Sequence, residues 1–103
     1  MTARITIPYE AIGEFCRKWC IVEFALFGSV LREDFGPDSD VDVLVDFAPE
    51  AGRTLFDLVR MEDELRVLFG REVDLVTKRS IQTSRNYLRR KAILDAAEVV
   101  YAA

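Results

Sequence analysis

The sequence predicts an α/β (α+β) fold in which a single β-sheet is covered by helices, and three observations carry that expectation. Apolar residues recur at helical spacing in two stretches, residues 41–47 alternate with the period of a strand, and the elements follow in the order helix, strand, strand, helix, strand, helix. Half of the 103 residues are hydrophobic, enough to build a core, so residues 1–103 are expected to form one domain.

Tyr9, Ile12, Cys16, Trp19 and Cys20 lie at helical spacing behind Pro8, a residue suited to a first turn, and predict an amphipathic helix over about residues 8–20. Its stripe is expected to be core. The short apolar run Ile21 to Phe27 is rich in β-formers and reads as a buried strand that ends at Gly28. From Val41 to Phe47 the valines and Phe47 fall on one face and Asp40, Asp42, Leu44 and Asp46 on the other, a strand with one face toward the core.

Thr54 with Asp57 three residues later has the form of a capping box. Leu55, Leu58, Val59, Leu65, Leu68 and Phe69 form a stripe, and Gly70 supplies a stop, so a helix is predicted over about 54–69. Glu72 to Val76 reads as a brief strand in which Val73 and Leu75 face one way and Asp74 the other. A last helix is expected from Ser84 to about Ala96, and Val99 to Tyr101 has the character of a short edge strand. Strand order is not fixed by these patterns.

Composition narrows the chemistry. No apolar run approaches the roughly 20 residues needed to cross a bilayer, and Met1 to Glu10 lacks the basic and apolar regions of a signal peptide, so a soluble, cytoplasmic protein is expected. Cys16 and Cys20 are read as packing residues, because no histidine is present to complete a zinc site with them. The lack of histidine also removes the commonest general base, so acid, base or metal chemistry must fall to carboxylates. Residues 78–103 hold six basic and two acidic side chains, which leaves 16 of the chain's 18 acidic and 8 of its 14 basic residues in 1–77. An acidic body argues against direct nucleic-acid binding. The basic tail, Lys78, Arg79, Arg85, Arg89, Arg90 and Lys91, suits a triphosphate or an acidic partner, or equally a solvated helix face.

The densest chemical signal runs from Gly28 to Val45, where a Gly-Ser turn and an arginine precede a strand opening with Asp-x-Asp. Residues two apart on a strand share a face and lie roughly 6.6 Å apart, so Asp40 and Asp42 can clamp one hard cation or straddle a pair about 4 Å apart. Gly28 lets backbone approach a ligand closely, amides of the following turn, including that of Ser29, can donate to phosphate oxygens, and Arg32 can reach the same anion. Asp74 completes a three-carboxylate site if its strand is a neighbour, and is the natural group to orient or deprotonate an incoming hydroxyl. Taken singly, each fragment also has a plain reading: a solubilising acidic cluster, an ordinary turn, a surface charge. A calcium loop is excluded, because Val43 stands where it needs glycine and Pro49 where it needs the final glutamate. Neither GxGxxG nor GxxxxGK[ST] occurs.

Together, Gly28-Ser29-x-x-Arg32, Ser39-Asp40-x-Asp42 and the lone Asp74 resemble the DNA polymerase beta-like nucleotidyltransferase superfamily, and the short length resembles its minimal nucleotidyltransferase (MNT) branch. The resemblance runs from about Ile12 to Tyr101. It implies the nucleotidyltransferase fold, a mixed sheet flanked by helices. It also implies Mg2+, two ions by expectation, held by Asp40, Asp42 and Asp74, with nucleotide contacts from Gly28, Ser29, Arg32 and Ser39. Many minimal members are antitoxins paired with a helical HEPN ribonuclease toxin, and some transfer AMP from ATP to a tyrosine hydroxyl of that toxin. The resemblance thus implies ATP as substrate and a HEPN toxin as partner, in a homo- or hetero-oligomer. One departure is Glu33, where relatives often carry glycine.

Two functional readings follow. The first is an active transferase using the three carboxylates; the second is a degenerate module that neutralises its toxin by contact alone. A nucleic-acid-modifying or antibiotic-modifying transferase would need a substrate lobe that a chain of this length lacks.

Overall fold

The computed structural model describes residues 7–28, 39–49, 52 and 54–103. Its elements are α1 (Tyr9–Trp19), β1 (Ile21–Phe27), β2 (Val41–Phe47), α2 (Leu55–Phe69), β3 (Val73–Thr77), α3 (Lys78–Gln82), α4 (Tyr87–Ala96) and β4 (Glu98–Ala102). The strands form one mixed sheet in the order β3-β2-β1-β4. β1 runs antiparallel to both β2 and β4, whereas β2 and β3 are parallel. A parallel pair cannot be joined by a tight turn, and α2 provides the crossover it requires.

The first face of the sheet is a continuous apolar layer. Phe24 and Leu26 of β1 and Val41, Val43 and Val45 of β2 all lie in one buried cluster with Ile12, Phe15 and Cys16 of α1 and Met61 and Leu65 of α2. Side chains of this size contribute roughly 1.5–3 kcal/mol each when fully buried, so this layer dominates the stability. The rings of Phe15 and Phe24 meet edge to face at 6.2 Å.

The strand with a single core-facing side is where the structure departs most from expectation. Leu44, placed by alternation on the polar face of β2, is buried with Ala25, Phe27, Ile81 and Ile93 in a second cluster. α3 and α4 supply the isoleucines and so cover the other face. α3 was not foreseen: it has five residues, one buried apolar side chain, and a start set by the Thr77 hydroxyl, which accepts from the Ser80 amide at 3.1 Å.

Smaller departures have local causes. Tyr9 and Cys20 are exposed although the helical pattern put them in the stripe, and Cys20 forms the left-handed C-cap of α1 at φ 59°. Along α2 the buried line runs through Met61 and Leu65, while Leu55 and Val59 are largely exposed. Val59 shares its face with Glu62, Asp63 and Arg66, the charged side of the helix. The predicted capping box at Thr54 and Asp57 is present, with both reciprocal hydrogen bonds. β3 starts one residue later than expected, and α4 starts at Tyr87, because Asn86 is its N-cap and accepts from the Arg89 amide. β4 is the edge strand expected near Val99 to Tyr101. Among the described residues, no helix is long and apolar enough to cross a membrane.

Candidate functional site

The end of β1, the start of β2 and the start of β3 meet at one end of the sheet. Phe27 pairs with Asp42 across the antiparallel β1–β2 ladder, and Asp42 pairs with Asp74 across the parallel β2–β3 ladder. Paired residues of neighbouring strands point to the same face, and the strands lie about 4.8 Å apart, so Asp42 and Asp74 project side by side. The condition on Asp74, that its strand adjoin the Asp-x-Asp strand, is met.

Gly28 follows β1 with φ +73°, a left-handed conformation that an L side chain rarely adopts. A Cβ there would collide with Oδ2 of Asp42 and come within 3.1 Å of its Cγ. The glycine therefore does two things at once: it turns the chain, and it leaves the half-buried Asp42 carboxylate the space it occupies.

Asp40 is exposed and stands one residue before β2, beside half-buried Ser39. The backbone here is anchored to the segment before β3. Arg71 Nη1 donates to the Ser39 carbonyl at 3.3 Å, and the Val41 amide donates to the Glu72 carbonyl at 2.9 Å. Ser29 and Arg32 lie outside the described residues, as does Glu33.

Sequence reasoning missed a charged group next to this end of the sheet. Arg66 of α2 donates from Nε to Glu72 at 2.7 Å and from Nη2 to Glu62 at 3.2 Å, and also pairs with Asp63. The Glu62 carboxyl is shifted above the usual carboxylate range, first by burial and then by the carboxylates of Asp74, Asp63 and Glu72, with Arg66 opposing. The i,i+4 spacing of Glu62 and Arg66 was legible in the sequence; the closeness of Glu62 to Asp74 was not.

The basic tail is partly committed elsewhere. Lys78 pairs with Glu23, Lys91 with Asp95, and Arg90 bonds the carbonyls of Gln82 and Ser84 while stacking on Tyr87. Arg79, with Asp46 and Thr77, lines a cavity of about 410 Å3 formed at the opposite ends of β2 and β3 from Asp42 and Asp74.

Whether the site suits a hard divalent cation can be judged from its donors. Asp40, Asp42 and Asp74 offer carboxylate oxygens, the ligands such ions prefer, and Gly28 adds no side chain of its own beside Asp42. As the described side chains stand, no three carboxylates are gathered closely enough to hold an ion. The donor chemistry fits; the strands align Asp42 with Asp74, and Asp40 flanks them.

Residues 9–100 match the nucleotidyltransferase domain family. The chain is 39% identical over 70 residues to the protein adenylyltransferase MntA of Thermococcus cleftensis, covering 68% of this chain and 69% of that protein. It superposes with a TM-score of 0.68 on the solved structure of a protein provisionally described as a minimal nucleotidyltransferase, 36% identical, covering 87% of this chain and 86% of the other. The same fold, with a TM-score of 0.63 and 18% identity over 92% of this chain and 70% of the other, occurs in a complex of tri-AMPylated Shewanella oneidensis HEPN toxin with MNT antitoxin. With the family model matched over residues 9–100 and the mixed four-stranded sheet shared with a solved structure 36% identical, this protein belongs to the nucleotidyltransferase domain family.

Proposed function

We propose that this chain is a Mg2+-dependent protein adenylyltransferase, the antitoxin of a HEPN/MNT pair, which transfers AMP from ATP to a tyrosine hydroxyl of its HEPN partner. The observation that carries the reading is the register pairing of Asp42 with Asp74 beside Gly28. The relationship to a protein adenylyltransferase and the shared fold with an antitoxin bound to an AMPylated toxin support it.

Asp40, Asp42 and Asp74 would hold the metal, which when bound neutralises phosphate charge and orients the triphosphate. Gly28, Ser29, Arg32 and Ser39 would contact the nucleotide, the backbone amides of the turn donating to phosphate oxygens. Asp74 orients the tyrosine hydroxyl and takes its proton. The hydroxyl oxygen forms a bond to the α-phosphorus as the bond to the bridging oxygen breaks in line, and pyrophosphate leaves with the electron pair. Catalysis on this reading is positioning and charge neutralisation, which suits a chain with no histidine.

The test is the intact mass of the HEPN partner after incubation with this protein, Mg2+ and each nucleoside triphosphate in turn. One or more AMP additions, mapped to tyrosine, are expected with ATP and absent with the Asp40→Asn/Asp42→Asn variant. Undiminished transfer by that variant overturns the mechanism. Inhibition of the toxin with no added mass overturns the transferase reading in favour of neutralisation by contact.

A further inference from the structure

The backbone on both sides of Asp40 is hydrogen-bonded to the segment that leads into β3. The Arg71 guanidinium donates to the Ser39 carbonyl, which belongs to the peptide group on the N-terminal side of Asp40. The Glu72 carbonyl accepts from the Val41 amide, which belongs to the peptide group on its C-terminal side. These two planes are joined only through the φ and ψ of Asp40, so restraining both planes restrains both angles and with them the direction of the Asp40 Cα–Cβ bond.

Both anchors come from adjacent residues, Arg71 and Glu72, which lead into β3 three and two positions before Asp74. Glu72 is itself braced, since its carboxylate accepts from Arg66 Nε at 2.7 Å. The backbone of Asp40 is therefore tied to the segment that positions Asp74. The Ser39 contact is the part that depends on a side chain, and Arg71 is half-buried, which shields the bond from water.

We propose that Arg71 is a positioning residue for the carboxylate site: by holding the Ser39–Asp40 peptide plane against the start of β3, it keeps the backbone that carries Asp40 beside Asp42 and Asp74, from where the carboxylate can swing onto a shared ion. This rests on the reading of the three aspartates as metal ligands. An arginine is suited to the task because its planar fork presents several donors in fixed directions, whereas a lysine offers a compact ammonium on a flexible stem.

The experiment compares wild type, Arg71→Ala, Arg71→Lys and Lys91→Ala, the last removing an exposed ion pair with Asp95. Three quantities are measured on the full chain without nucleotide: Mn2+ affinity by calorimetry, thermal midpoint, and hydrogen exchange of the Asp40 and Val41 amides. Arg71→Ala is expected to weaken Mn2+ binding by about tenfold or more, the usual cost of removing a group that orients a metal ligand. Its two amides exchange faster, while its midpoint stays within about 4 °C of wild type. Arg71→Lys recovers part of the affinity, and serves in place of the alanine variant should that one fail to fold; Lys91→Ala matches wild type. Unchanged Mn2+ affinity in Arg71→Ala beside a wild type that binds overturns the positioning role alone. An affinity loss that Lys91→Ala shares equally does the same. A wild type that binds no Mn2+ overturns the metal-site reading and this inference together.

Discussion

Gly28 and Asp42 are in contact across the β1–β2 ladder so closely that no side chain fits between them. Gly28→Ala is expected to act on function more than on stability. The left-handed backbone costs an alanine roughly 1–2 kcal/mol, and the new methyl group must push the Asp42 carboxylate out of line with Asp74. Affinity for Mn2+–ATP, measured by calorimetry, should fall by about tenfold or more, the size expected when a ligand of a metal site is misaligned. An unchanged affinity would show that the position of Asp42 does not matter to nucleotide binding.

Stability should depend on the first sheet face rather than on the exposed apolar residues of α2. Phe24 is fully buried and Phe56 is 84% exposed. Phe24→Ala is expected to cost about 3–5 kcal/mol, whereas Phe56→Ala should stay within about 0.5 kcal/mol. Urea denaturation of the two variants checks the contrast, and similar losses would contradict the assigned core.

The two cysteines should behave as different chemical species. Burial pushes the Cys16 thiol up to about 12, while Cys20 is exposed. At pH 8 a thiol reagent should label one site per native chain and two after unfolding, with the native label on Cys20. Because the folded pKa lies above the ordinary value of 9.0, the unfolded chain loses the Cys16 proton first. The contribution to stability is therefore intact below pH 9 and declines as pH rises toward 12. Cys16→Ala should flatten that decline, as followed by unfolding free energy against pH.

Much of this was legible in the residues themselves. The bounds of β1 follow from an apolar run closed by a glycine, and the start of α2 from Thr54 and Asp57, because those signals are local. The second core cluster was hidden because Asp42 and Asp46 flank Leu44 and give the strand a polar-looking face, although the helices that cover Leu44 come from residues far along the chain. The motif residues of the site could be listed from their spacing, but the alignment of Asp42 with Asp74 depends on a parallel register that no pattern within either strand encodes. Arg71 carries no signal in the sequence for the same reason: its partner, the Ser39 carbonyl, is distant in sequence and has no side-chain signature.

The pairing of β4 with β1 has a consequence for synthesis. β2, α2 and β3 emerge from the ribosome consecutively, so the strands bearing Asp42 and Asp74 can find their register early. β1 must wait for β4 before its other edge is covered, and Leu44 and Phe27 remain bare until Ile81 and Ile93 arrive. A nascent chain stalled before α4 would present the carboxylates on a sheet still sticky on that side, so the arrival of α4 decides whether the strands made before it stay soluble.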